Sequence, residues 1–153
     1  MLGLTSLGII LARDHRIRYA TGAGRLYVHT TVLTCLTSLG IFQHGGFGKP
    51  HVLAIITLIT LGIAQAAITT TWFGRRSVYV EMVAYSATVL FHFIPALTET
   101  GTRVPVGAPF FASAEDPLLK MLTGGLVAVF LVGATLQVLW LGRQRDPGQA
   151  SPA

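Results

Sequence analysis

The sequence predicts an all-α integral membrane protein, a bundle of four transmembrane helices with a short apolar helix at its N-terminus. Hydrophobic residues make up 52% of the 153 residues and charged residues only 11%, whereas a soluble domain carries about 25% charged residues. The apolar residues are also gathered into long runs, and crossing about 30 Å of hydrocarbon takes roughly 20 of them in succession. The composition therefore argues against a soluble enzyme and against disorder.

The apolar runs justify each helix in turn. Residues 2–12 are apolar but too few to span a membrane, and we expect a short helix at the edge of the bundle. Residues 26–42 form a shorter run rich in Thr, which is the first predicted spanning helix. Residues 51–72, 78–97 and 118–141 form the three longer runs and the remaining predicted spans. The connections between these runs are short, except for the proline-containing loop after the third span.

The basic residues predict the orientation of these helices, because cytoplasmic loops are enriched in Lys and Arg. With four spans, eight arginines share one side: Arg13, Arg16, Arg18, Arg25, Arg75, Arg76, Arg143 and Arg145. Three basic residues share the other side: Lys49, Arg103 and Lys120. This distribution places the C-terminus in the cytoplasm. We therefore expect one transmembrane domain over residues 1–143 and a disordered cytoplasmic tail over residues 144–153.

Three histidines are predicted to lie near the external face of the membrane. His51 begins the second span, His92 lies slightly over one turn inside the third, and His44 lies in the turn between the first two spans. Three carboxylates occupy the external loop above them: Glu99, Glu115 and Asp116. Because placing ionisable residues in a bilayer is expensive, these histidines are candidate functional residues.

The external histidines have three interpretations. His51 and His92 come from different helices and are candidate axial ligands of a b-type haem. His44, His51 and His92 instead suit a transition metal when a carboxylate joins them. In the third interpretation, His44 and His51 are solvated interfacial residues and His92 bonds to a neighbouring helix. A covalently attached haem is excluded, since the sequence has no CxxCH motif.

On the internal side, His29 and Glu81 are predicted to lie at matching depths, each about one turn into its helix. They either form a structural pair inside the membrane or extend separately to the interface. In the external loop, Arg103 either clamps an anionic group or pairs locally with Glu99.

Aromatic and small residues along the runs make further predictions about packing. Three aromatic residues are expected to anchor helices at the interface: Tyr27, Tyr79 and Trp140. Three pairs of small residues spaced four apart are expected to allow close helix packing: Gly62 and Ala66, Ala84 and Thr88, and Gly124 and Ala128. These pairs are structural features and carry no chemistry of their own.

Two segments carry a family resemblance. The first is Gly24-Arg25-Leu26-Tyr27-Val28, followed by a helix rich in Thr, Leu and Ser. The second is Gly45-Gly46-Phe47-Gly48-Lys49-Pro50-His51, followed by a helix rich in Leu and Thr. Over residues 13–93 the chain resembles the small bacterial membrane proteins grouped as the domain of unknown function 2306 family. The resemblance implies a bacterial protein with several membrane helices and no settled reaction.

These observations predict a small bacterial inner-membrane protein that binds b-haem or a quinone, or serves as an accessory subunit of a redox or respiratory complex active in electron transport. The alternative is a non-redox protein, either a structural partner subunit or a small transporter of a metal or an organic solute. No HExxH, GxSxG, P-loop or GxGxxG motif is present, so enzymatic activity stays open. The expected partners are lipid, other membrane subunits or a second copy of the chain, and not nucleic acid.

Overall fold

A computed structural model describes residues 17–40 and 46–145, with side chains to residue 143. Within this part the chain is helical and contains no strand. The four helices are α1 (Gly22–Leu39), α2 (Lys49–Thr69), α3 (Ser77–Gly101) and α4 (Pro117–Arg145), and a short 3₁₀ turn precedes α3. The all-α prediction is confirmed for the described residues. The predicted helix at residues 2–12 and His44 lie outside them.

Three of these helices are long and apolar enough to cross a membrane. The three segments are Lys49–Thr69, Gly74–Arg103 and Pro117–Arg143, and they contain most of the three longer predicted runs. Helix α1 has 18 residues, which corresponds to a length of about 27 Å, but it is less apolar than the other three. The structure therefore establishes three candidate spans, and the fourth predicted span is not among them.

Threonines lower the hydropathy of α1, yet their hydroxyls are bonded within the helix. The hydroxyls of Thr30, Thr34 and Thr37 each donate to the main-chain carbonyl four residues earlier, at 2.8, 2.8 and 3.0 Å. A hydroxyl bonded in this way needs no water and leaves no unmet donor. Sequence hydropathy therefore overstates the polarity that α1 presents to its surroundings.

Helix α1 packs antiparallel to α2. One core cluster joins Tyr27 and Val28, near the start of α1, to Leu61 and Ala64, near the end of α2. Ala84 and Tyr85 of α3 belong to the same cluster. Most residues buried on the two facing helices recur every three or four positions: Gly24, Tyr27, Val28, Thr31 and Cys35 on α1, and His51, Ala54, Thr57, Leu61, Ala64 and Ala67 on α2. Since most of them are small, the helix axes approach closely.

Of the predicted small-residue pairs, Ala84 and Thr88 are both buried, as expected. Gly62, Gly124 and Ala128 are exposed instead. The face of α2 that packs in the core contains Leu61 and Ala64, and Gly62 lies outside that face.

The chain divides into two compact units, Met1–Phe91 and His92–Ala153. The division falls inside α3, four residues before Pro95. Because a proline nitrogen carries no hydrogen, Pro95 does not supply the helical bond that the Phe91 carbonyl would otherwise accept. The first unit contains α1, α2 and most of α3, and the second contains the end of α3, the following loop and α4.

In the second unit, the loop after α3 folds back on the end of that helix. The Phe111 amide donates to the Gly101 carbonyl at 3.0 Å, and the buried Phe111 ring lies where a Cβ on Gly101 would be. Asp116 then starts α4, since its carboxylate accepts from the amides of Leu118 at 2.9 Å and Ala112 at 3.3 Å. The loop is thus ordered by its own contacts.

A close backbone approach at Gly24 generates the first prediction. The carbonyl of Arg18 lies so near Gly24 that an added Cβ would overlap it, whereas Gly62 faces open space. We expect Gly24→Ala to lower the free energy of unfolding in detergent by about 1–3 kcal/mol, the usual cost of overpacking. The matched control Gly62→Ala should leave stability equal or higher, because Ala favours the helix. Equal stability of the two variants would contradict this account of Gly24.

Candidate functional site

His51 forms part of the start of α2. Its side chain is buried, with 5% of the residue exposed. The Gly48 amide donates to its Nδ1 at 3.2 Å, and the Phe47 ring stacks on the imidazole with centroids 5.2 Å apart. The residue therefore satisfies an amide that the helix itself leaves without a partner. This role is structural and differs from that of a solvated interfacial histidine.

The hydrogen bond from Gly48 also bears on haem ligation. Because Nδ1 accepts, the neutral imidazole of His51 carries its proton on Nε2. A histidine that ligates a metal through Nε2 usually donates its Nδ1 hydrogen to another group. Ligation through Nε2 would thus require His51 to give up its bond to Gly48. His92 lies on α3, partly buried, at the start of the second unit, and the haem pair stays a prediction.

The metal prediction rests on His44, which lies outside the described residues. Among the residues that are described, no group of three or more His, Cys, Asp or Glu side chains is placed to hold a metal ion. Two of the carboxylates that were predicted to be external form local pairs: Glu99 with Arg103 at 2.6 Å, and Glu115 with Lys120 at 2.8 Å. The predicted local pair of Arg103 and Glu99 is confirmed.

His29 and Glu81 lie on two helices of the first unit. His29 is exposed on α1, and the Tyr19 ring meets it edge-on with centroids 6.4 Å apart. Glu81 is partly buried on α3. Their pairing stays a prediction.

The polar centre of the first unit consists of Tyr27, Gln65, Tyr85 and Thr88. The hydroxyls of Tyr27 and Thr88 lie 2.9 Å apart and join α1 to α3. The Gln65 amide donates to the Tyr85 hydroxyl at 3.1 Å and joins α2 to α3. Since these contacts link three helices, the polar centre fixes the position of each helix along its neighbours.

The direction of the Tyr27 bond follows from the other bond that Thr88 makes. The Thr88 hydroxyl donates to the Tyr85 carbonyl at 2.7 Å. A hydroxyl has one hydrogen to donate, so Tyr27 is the donor to Thr88. Both residues are buried, with 4% of Tyr27 and 0% of Thr88 exposed.

The prediction that Tyr27 is an interfacial anchor is wrong. Its ring belongs to the core, and its hydroxyl finds a partner inside the bundle. A signal was present in the sequence, because Gly24 and Thr31 flank Tyr27 on the same helical face and mark that face as closely packed. Gln65, the most polar residue inside its run, was a second signal for an internal partner.

No family model, curated protein or solved structure matches the chain.

The Tyr27–Thr88 bond can be measured by a double-mutant cycle. We expect Tyr27→Phe and Thr88→Val to be coupled by about 0.6 kcal/mol, and by no more than about 1.7, as for other polar pairs in membrane bundles. The measurement is unfolding of the purified chain in mixed detergent micelles. The control pairs Tyr27→Phe with Thr34→Val, since the Thr34 hydroxyl donates to the Thr30 carbonyl of its own helix. That pair should be additive within about 0.3–0.5 kcal/mol. Additivity in both cycles would mean that the Tyr27 bond does not hold the helices together.

Proposed function

We propose that this chain is a small multi-pass protein of the bacterial inner membrane that acts as an accessory or structural subunit of a membrane complex. The observation that carries the proposal is the apolar surface of α4. In its most apolar stretch of 18 residues, 0% of the residues are buried. Met121, Val129 and Val132 are among its most exposed side chains. Such a surface suits lipid and the helices of a partner.

The polar centre supports the same function. Its hydroxyl and amide groups bond to one another across α1, α2 and α3. The hydroxyl and amide groups of the polar centre thus hold the helices together. A structural subunit requires such contacts between its helices. The resemblance to the domain of unknown function 2306 family implies a similar multi-helix architecture and leaves the reaction open.

Binding of b-haem or a quinone is the second candidate function, and the buried imidazole of His51 favours it. Its Nε2 is fully buried, and the stacked Phe47 ring adds an apolar face beside it. Haem binding would require the imidazole to change its hydrogen bonding at Gly48.

Purification of the full chain from membranes in a mild detergent distinguishes the two functions. An accessory subunit should be colourless and should retain a membrane partner in fixed stoichiometry after cross-linking in cells. A haem protein should show a Soret band that His51→Ala and His92→Ala abolish, because each removes an axial ligand. His29→Ala is the control and should keep the band. Recovery of the chain alone, colourless and with no quinone in its solvent extract would contradict both functions.

We also propose that α1 is a fourth span. Helix α1 lies antiparallel against α2, and Tyr27 bonds it to α3. If α2 and α3 cross the membrane, α1 lies at the same depth. Its length of about 27 Å is close to that of the hydrocarbon core, and its threonines are bonded internally.

The span of α1 also decides the orientation of the whole chain. With α1 in the membrane, the basic residues divide eight to three, with the C-terminal side favoured as cytoplasmic. Without it, Arg13, Arg16, Arg18 and Arg25 join the side of Lys49, Arg103 and Lys120, so that seven basic residues face four. The same rule would then reverse the orientation.

Reporter fusions test this topology. We expect fusions after Ala20, Arg76 and Arg145 to report the cytoplasm, and fusions after Gly48 and Gly107 to report the outside. The measurement uses alkaline phosphatase and green fluorescent protein at each site, since the two are active on opposite sides. If Ala20 and Gly48 report the same side, α1 does not span and the proposal of four spans is wrong.

A further inference from the structure

We propose that one end of the first unit binds the headgroups of anionic phospholipids. This basic end consists of Arg18, Arg25, Trp72, Arg75 and Arg76. It lies where α1 begins, α2 ends and α3 begins. The inference rests on the proposal that the chain spans a membrane.

The fold brings the basic end together from two separate parts of the sequence. The core cluster contains Ile17 and Tyr27 together with Leu61 and Ala64, so the start of α1 lies beside the second half of α2. The hydroxyl of Thr21 donates to the Arg18 carbonyl at 2.9 Å and holds that residue at the start of α1.

The turn between α2 and α3 places the other two arginines. Gly74 has a φ of +48°, a conformation in which glycine is favoured. The Ser77 hydroxyl bonds to the Ala67 carbonyl and ties the start of α3 to the end of α2. Arg75 and Arg76 are thereby held on the short 3₁₀ turn, and both are exposed.

Charge at this end is unbalanced. Arg18, Arg25, Arg75 and Arg76 are all exposed. Among the described residues of the first unit, Glu81 is the single carboxylate, and it is partly buried on α3. Four exposed guanidinium groups thus stand against one carboxylate among the described residues of this unit. An excess of guanidinium groups attracts phosphate, which guanidinium binds in a bidentate manner.

Trp72 indicates that the phosphate belongs to a lipid. It follows α2 by three residues and is 84% exposed. An indole at the end of a spanning helix prefers the boundary between headgroups and acyl chains. A soluble phosphate would leave this large apolar surface in water, whereas a phospholipid covers the indole and presents its phosphate to the neighbouring arginines.

The test measures which lipid lies beside Trp72. The chain contains two tryptophans, so Trp140→Phe leaves Trp72 as the single fluorophore. The full chain is reconstituted in phosphatidylcholine vesicles that contain a small fraction of acyl-brominated lipid, either phosphatidylglycerol or phosphatidylcholine. We expect the brominated phosphatidylglycerol to quench Trp72 several-fold more strongly at equal fraction, and 1 M salt to reduce the difference.

Substitutions identify the residues responsible. Arg75→Gln with Arg76→Gln should abolish the several-fold preference for phosphatidylglycerol, since each basic residue near an anionic surface contributes about fivefold. The matched control is Arg103→Gln with Lys120→Gln, which also removes two positive charges and should keep the preference. Inorganic phosphate at millimolar concentration should not compete with the lipid.

Three outcomes overturn the proposal: equal quenching by the two brominated lipids, equal effects of the two double variants, or displacement by inorganic phosphate. If the basic end instead binds an acidic segment of a partner protein, the two brominated lipids should quench Trp72 equally. Failure of the membrane proposal itself is distinguishable, because the chain would then not reconstitute into vesicles and neither lipid would quench Trp72.

Discussion

The hydrogen bond from Tyr27 to Thr88 connects the least apolar helix of the described chain to one that is apolar enough to cross a membrane. The composition of α1 alone does not place it among the helices that could cross a membrane. Its small residues pack against α2, and the Tyr27 hydroxyl meets a buried partner on α3. The position of α1 beside these helices therefore depends on tertiary contacts more than on hydropathy.

Several properties of the chain depend on that placement. On the proposal that α1 spans the membrane, its position determines which side receives its arginines and so which orientation the balance of charge favours. It also brings Arg18 and Arg25 to the end of the unit that carries Arg75 and Arg76. Helix α1 thus links the packing of the core to the position of the exposed arginines.

The structure gives His51 a role that the sequence did not predict. In the sequence, His51 is a candidate haem or metal ligand, because placing an ionisable side chain in a bilayer costs free energy. In the structure, its Nδ1 accepts from Gly48 and its ring stacks on Phe47. A histidine at the third position of a helix is well placed to reach back to the residue before that helix, and this local use accounts for its burial.

The sequence by itself determined the helical class, the three helices that are long and apolar enough to span a membrane, and the local pair of Glu99 with Arg103. Run length and four-residue spacing are properties of neighbouring residues. Only the tertiary structure decided that Tyr27 is buried. It also decided that, of the predicted small residues, Ala84 packs in the core and Gly62 is exposed. Those outcomes depend on how each helix is rotated toward its neighbours. Rotation is set by contacts between residues far apart in the chain, such as Tyr27 with Thr88, which no local pattern specifies.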